Sequence, residues 1–326
     1  MDDTIRWGIL GTGSIAHQFA GDLRNAEGAE LAAVGSRSKE TADAFGEEFG
    51  IERCHGSYED LVDDPEVDVV YVSSPHSCHK DNTILCLEAG KAVLCEKPFA
   101  INRAEAEAMV AKAREKGLFL MEAMWSRFFP LMYRVRELAA QGAIGDVRMV
   151  TADFGFRAEF DPKSRLFDPE FGGGGLLDVG VYAVSFASMI LGAPDRVEGL
   201  AELGETGIDE QCAIVFGYPG GELAALQSGI RTTTPQEATV IGTDGFIRVF
   251  AKFWNPKRIM IVKGGEESFE EDLVEGRGFH FEASEVMRCL REGETESPVM
   301  PLDESIAIME SMDRVRAKWG LKYPME

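Results

Sequence analysis

Five short apolar runs punctuate the first third of the chain: Ile5–Leu10, Ala29–Val34, Val67–Ser73, Ala92–Cys95 and Leu118–Met121. The segments between them carry helical periodicity. Short continuous apolar runs alternating with helices are what a parallel sheet covered on both faces requires. The punctuation agrees. Ser57 stands three residues before Asp60, a capping-box spacing. Gly90 and Gly117 follow helical stretches 81–89 and 103–116, and Asn102 is placed to cap the second. The pattern predicts a doubly wound α/β domain built from βαβ units.

Beyond residue 122 the grammar changes. A helical stretch over 128–140 leads to alternating apolar positions over 147–156, then a glycine-rich loop and one helix. Strand-like runs Glu210–Phe216 and Leu223–Ile230 flank Gly217-Tyr218-Pro219-Gly220-Gly221, a hairpin signal. Ala238–Ile241, Phe246–Phe250 and Arg258–Val262 continue the series, and a helix over 304–319 closes the chain. Strands in succession without crossover helices predict a large, mainly antiparallel open-faced sheet in an α+β domain. The expected organisation is a dinucleotide-binding domain over 1–122 and a substrate-binding and dimerisation domain over 123–326. The longest uncharged apolar stretch, Val179–Pro194, is too short to span a bilayer and reads as a core helix.

The composition of the 326 residues is that of an average globular protein, except in sign: 33 Lys and Arg stand against 56 Asp and Glu, a net charge of −23. Such a field repels phosphate backbones and anionic lipid, so neither nucleic acid nor a membrane surface is an expected partner. The six cysteines form no C-x-x-C pair, and the opening residues lack the features of a signal peptide. Reduced thiols and a cytoplasmic location are expected.

Gly11-Thr12-Gly13-Ser14-Ile15-Ala16 directly follows the first apolar run and opens a helix. In that context Gly11 permits the turn, Gly13 admits a pyrophosphate and Ala16 allows close helix–strand packing. The plain alternative is an ordinary glycine turn. About twenty residues on, where an NAD site places a carboxylate for the ribose hydroxyl, the chain has Gly35-Ser36-Arg37-Ser38. Ser36 and Arg37 suit a 2′-phosphate, so NADP(H) is expected in preference to NAD(H); a surface arginine is the alternative.

Ligands of doubly wound sheets sit beyond the carboxyl ends of the strands. There the chain presents Ser73-Ser74-Pro75-His76-Ser77-Cys78-His79, then Glu96-Lys97-Pro98, then the stretch from Glu122 to Arg127 that includes Trp125. Ser74, Pro75, His76, His79, Glu96 and Lys97 are expected to line the cofactor. His76 and His79 also have a spacing that could serve a metal, but no second ligand cluster accompanies them, and no metal is assigned. Lys97 is either a cation on the nicotinamide side or a solvated lysine. In the later part, Asp178 and Tyr182 follow four glycines at i,i+4 spacing. They are either structural hydrogen-bonding groups or an acid/base pair meeting Lys97 across an interdomain cleft. Trp125, Phe154, Trp254 and Phe279, in loops or at strand positions, could together wall an apolar substrate pocket; singly each suits packing.

The G-x-G-x-x-A turn, Glu96-Lys97-Pro98 and the Gly-rich Leu176-Leu177-Asp178-Val179-Gly180-Val181-Tyr182 helix together resemble the Gfo/Idh/MocA oxidoreductase family. The resemblance runs nearly end to end and is strongest to the family's diol and sugar dehydrogenases. It implies tightly held NADP(H), a catalytic pair of Lys97 and Tyr182 supported by Asp178, and a homodimer formed through the open sheet face. The expected reaction transfers a hydride between nicotinamide and a secondary alcohol or hemiacetal carbon of a sugar or trans-diol. A catalytically silent NADP-responsive protein and an inositol or amino-sugar dehydrogenase are the competing expectations.

Overall fold

The computed structural model describes residues 4–274 and 276–326, which divide into two compact units. The first holds residues 4–100, 104–125 and 276–305; the second holds 101–103, 126–274 and 306–326. The change of pattern near residue 122 falls just before residue 126, where the longest stretch of the second unit begins. The chain's return to the first unit over 276–305 has no counterpart in that pattern.

The first unit opens as β1 (Ile5–Leu10), α1 (Ser14–Leu23), β2 (Ala29–Gly35), α2 (Lys39–Phe49), β3 (Arg53–His55) and α3 (Tyr58–Val62). It continues as β4 (Val69–Val72), α4 (His79–Glu88), β5 (Ala92–Glu96), α5 (Arg103–Lys116) and β6 (Leu120–Ala123). The strands form a six-stranded sheet in the order β3-β2-β1-β4-β5-β6, with every neighbouring pair parallel. All residues of β4, β5 and β6 are buried, which is why those runs are apolar without alternation. Ser57 caps α3 by accepting the Asp60 N–H at 3.1 Å. Strand order reverses between β1 and β4, so the carboxyl ends of these strands open the crevice in which such sheets hold ligands.

The second unit starts with α6 (Pro130–Ala140) and β7 (Val147–Gly155). A π-helical turn over Leu176–Gly180 runs directly into α7 (Val181–Leu191). Seven strands follow: β8 (Arg196–Leu203), β9 (Asp209–Gly217), β10 (Leu223–Gly229), β11 (Ala238–Gly242), β12 (Gly245–Val249), β13 (Arg258–Lys263) and β14 (Glu266–Glu271). With β7 they form one sheet in the order β14-β13-β12-β11-β7-β10-β9-β8. It is antiparallel throughout except for the β7–β10 pair. One face buries Ile214, Phe216, Ala224 and Leu226, while Leu200, Val215 and Leu223 are exposed. The apolar stretch Pro169–Leu191 is long enough to cross a membrane, but most of it is buried inside the unit as a core helix.

The chain ends with α8 (Phe279–Glu292) and α9 (Leu302–Trp319). Helix α8 packs on α1 in the first unit. Asp22, near the end of α1, caps it. Its carboxylate accepts the backbone N–H of Arg277 at 3.0 Å and of Gly278 at 2.8 Å, and lies 3.2 Å from Nδ1 of His280. One expectation is corrected here. Phe279 sits neither in a loop nor on a strand; it opens α8, because a partner from α1 supplies the cap that no local residue provides.

Candidate functional site

The turn between β1 and α1 is shaped to receive an anion. Gly11 has φ +98°, and a Cβ there would meet the Ser73 hydroxyl at 3.2 Å. Gly13 is exposed, and a Cβ on it would meet nothing within 4 Å, so the approach to its backbone is open. Gly13 is also the N-cap of α1, and no side chain caps that end. The first-turn N–H groups at Ser14, Ile15 and Ala16 therefore remain for a phosphate, with the positive end of the helix dipole behind them. The residues fit a dinucleotide pyrophosphate.

At the tip of β2, Ser36 is buried in a chain of hydroxyls. Its Oγ lies 3.3 Å from that of Thr12 and 2.6 Å from that of Thr41. Arg37 is exposed beside it, and Ser38 caps α2. No carboxylate stands between Gly35 and Ser38.

The loops after β4 and β5 are tied to each other within the first unit. Ser73 donates its hydroxyl to the Leu10 carbonyl at 2.9 Å, and the Ser74 hydroxyl accepts from Asn82 at 2.9 Å. His79 is fully buried, with Nε2 2.9 Å from the Ser74 carbonyl and Nδ1 2.9 Å from that of Pro98. Burial pushes its pKa down to about 4, against the pull of those two carbonyls and with the Lys97 ammonium adding to the depression. The His76 ring lies 5.7 Å from it. Both ring nitrogens of His79 are engaged by backbone, and among the described residues no group of His, Cys, Asp and Glu is arranged to hold a metal. Glu96 is buried at the end of β5, where it accepts the Tyr71 hydroxyl and, at 3.1 Å, the Lys97 N–H. Lys97 is half-buried, and its peptide bond to Pro98 is cis.

In the second unit, Asp178 lies in the π-helical turn and Tyr182 one step into α7, each 6% exposed. Widened turns of this kind are frequent at functional sites, because they re-aim side chains out of the regular helical stagger. Asp178 accepts a hydrogen bond from Arg165 at 2.9 Å. The Tyr182 ring lies 5.5 Å from Phe154 and 6.2 Å from Trp254, and those two rings are stacked within 5° of parallel. The aromatic set thus divides. Phe154 and Trp254 gather around Tyr182, while Trp125 and Phe279 stack on each other at 4.6 Å in the first unit. Arg165 was not singled out from the sequence, since its loop has no periodicity to mark it.

A doubly wound parallel sheet with an open glycine turn at a helix N-terminus is the architecture of a dinucleotide-binding unit. The oxidoreductase family model GFO_IDH_MocA, with an NAD-binding Rossmann fold, matches residues 5–124, and the GFO/IDH/MocA C-terminal domain model matches residues 132–248. The chain belongs to the Gfo/Idh/MocA family and is a dehydrogenase acting on CH–OH groups. It is 41% identical to trans-1,2-dihydrobenzene-1,2-diol dehydrogenase of Mus musculus, with 99% of each chain covered. To the Homo sapiens enzyme of that name it is 38% identical over the same share. Among solved structures, aldose–aldose oxidoreductase from Caulobacter crescentus, complexed with glycerol, is 27% identical with a TM-score of 0.89 over 98% of both chains. KijD10, a 3-ketoreductase from Actinomadura kijaniata in complex with NADP and TDP-benzene, is 28% identical with a TM-score of 0.85, over 96% of this chain and 97% of its own.

Proposed function

We propose that the protein is an NADP(H)-preferring dehydrogenase of sugars or trans-diols, with D-xylose and trans-dihydrodiols as the first substrates to test. In this reading residues 1–122 hold the cofactor, and residues 123–326, apart from the 276–305 stretch that packs with the first unit, bind substrate and form a homodimer. Gly11 to Ala16 receive the pyrophosphate, Ser36 and Arg37 the 2′-phosphate, and Ser74, Pro75, His76 and Glu96 border the remainder of the dinucleotide, with buried His79 bracing the Ser74 and Pro98 loops behind them. Bound NADP(H) supplies the hydride acceptor or donor. In the second unit Tyr182 exchanges a proton with the substrate hydroxyl and Asp178 supports Tyr182; in the first unit Lys97 supplies a cation on the nicotinamide side of the cofactor, there to stabilise developing negative charge. Phe154 and Trp254, which gather around Tyr182, wall the substrate.

The observation that carries the reading is the placement of a nearly buried tyrosine against a stacked aromatic pair, one turn from a buried aspartate on a π-distorted helix. The names of the relatives, a diol dehydrogenase, an aldose oxidoreductase and an NADP-complexed ketoreductase, support the substrate class and the cofactor. The exposed Leu200, Val215 and Leu223 support the open sheet face as the dimer surface. A cytoplasmic location accords with six free cysteines.

The test is an NADP-linked screen of aldoses and trans-diols on the purified chain and on Tyr182→Phe. The variant is expected to bind NADPH normally and to lose about 10²–10⁴-fold in kcat. Turnover near that of the unmodified protein would remove Tyr182 from the chemistry.

A further inference from the structure

Four consecutive glycines precede the helix that bears Asp178 and Tyr182, and the space beside two of them, Gly174 and Gly175, is filled from β9. Asp209, the first residue of β9, is fully buried. Its Oδ2 accepts the Leu176 N–H at 2.6 Å, at the first residue of the π-helical turn. Its Oδ1 has no hydrogen-bond partner and occupies the place of a side chain at Gly174. A Cβ on Gly174, where φ is +120°, would stand 2.4 Å from that oxygen. A Cβ on Gly175 would stand 3.3 Å from Oδ2. The preceding carbonyl, that of Gly173, accepts the hydroxyl of buried Tyr323 at 2.7 Å. Gly174 and Gly175 are therefore moulded around one carboxyl group, while Gly173 lies against the carbonyls of Arg165, Leu166 and Asp168 and gives its own carbonyl to a phenol.

Such a group is costly to keep. Burial pushes the Asp209 pKa up to about 7, although the N–H groups of Leu176, Asp209 and Gly175 and the charge of Arg316 all act to lower it. A buried acid with one unmet oxygen is not the cheapest way to begin a helix; an exposed serine or threonine does so without desolvation. What a buried acceptor adds is rigidity, because it fixes the axial position of the helix start against the sheet.

We infer that Asp209 is a positioning residue, whose carboxyl pins the Leu176 N–H and so sets the height and rotation at which Asp178 and Tyr182 are presented. This rests on the assignment of the chemistry to those two residues. Asp178 lies two residues and Tyr182 six residues beyond the pinned amide, within a single rigid rod. A shift of the rod's start therefore moves both, and displacements near 1 Å in reacting groups cost about a hundredfold in rate.

The test compares Asp209→Val, which removes the acceptor, with Asp209→Asn, which keeps an oxygen for the Leu176 N–H. Rates are counted per NADPH-binding site by fluorescence titration. Asp209→Val is expected to lower kcat by about tenfold to a hundredfold with the NADPH dissociation constant unchanged, and Asp209→Asn to recover to within about threefold of the unmodified protein. Unchanged kcat in Asp209→Val, or an equal loss in both variants, overturns the inference. Amide hydrogen exchange on the unmodified protein does not depend on either variant folding. Protection over 176–182 equal to that of the β9–β10 pair is expected, and loop-like exchange there refutes the pin. Tyr182→Phe, run in parallel, separates the two levels. Full turnover in that variant defeats the underlying assignment, whereas an inactive Tyr182→Phe beside a fully active Asp209→Val defeats only the role of Asp209.

Discussion

Glu282 offers the sharpest check on the packing of the first unit. It lies on α8, fully buried, and neither carboxyl oxygen meets a partner. Burial, with Glu96 and then Asp22 as nearby carboxylates, raises its pKa well above the usual carboxylate range and so favours the neutral acid. Replacing it with methionine keeps an unbranched chain of similar bulk and removes two unmet oxygens, a relief of about 1–3 kcal/mol. A second gain depends on pH. A group whose folded pKa is raised contributes stability that is fully present below its unfolded pKa, about 4.3, and is lost as pH rises through the folded value. In that window the unmodified protein loses up to about 1.4 kcal/mol per pH unit, and Glu282→Met does not. Differential scanning calorimetry should show Glu282→Met melting higher at pH 5.5, by about 2–12 °C if 1 kcal/mol moves Tm by 2–4 °C. The advantage should widen as pH rises from 5.5 toward the folded value. Glu282→Gln, neutral but still polar, should reproduce the widening without the full gain. An advantage that stays constant with pH, or a methionine variant less stable at pH 7.5, would refute the account of a protonated, unpartnered acid.

Other outcomes can be checked by simpler means. Arg37→Asp should weaken NADPH binding by about 10–150-fold, the worth of a charge-assisted contact of 1.5–3 kcal/mol, and leave NADH binding no worse; fluorescence titrations with an unchanged NADPH constant would exclude Arg37 as the phosphate contact. Gly13→Val should leave Tm within about 1 °C, since its side chain enters open space, yet abolish dinucleotide binding by blocking the pyrophosphate; retained binding would count against the turn. Asp22 suffers desolvation, but the N–H groups of Arg277 and His280 outweigh it and lower its pKa. Its stabilisation is therefore present above about pH 4 and lost as pH falls through the folded value. Asp22→Ala should cost about 0.5–2 kcal/mol as a lost cap and flatten the acid limb of a circular-dichroism titration between pH 5 and 3; an unaltered limb would disprove the cap.

The strands that were legible are those with buried runs on both faces, such as β4 and β5, or with regular alternation, such as β9 and β10. Three were not. β3 is three residues with no apolar run. β8 turns Leu200 outward, which spoils its alternation. β14 is almost wholly acidic and exposed, as suits an edge strand guarded against pairing. The cofactor turn was legible because its chemistry is local: Gly11, Gly13 and Ala16 act within one strand–helix junction. Asp209 and Arg165 were not, because each acts on a residue far along the chain and carries no periodic signal. The π-helical turn was also hidden. Nothing in residues 176–180 distinguishes it from a regular helix, and it follows from what holds its ends.

The route of the chain has a practical corollary. Because residues 276–305 return to the first unit and Asp22 grips the start of α8, no single scission releases a self-sufficient nucleotide carrier. A fragment ending at residue 125 would leave bare the flank of α1 on which α8 lies, and would leave Asp22 without the helix start it caps. Recombination between relatives is constrained in the same way: a graft of the front half has to bring the α8 segment with it.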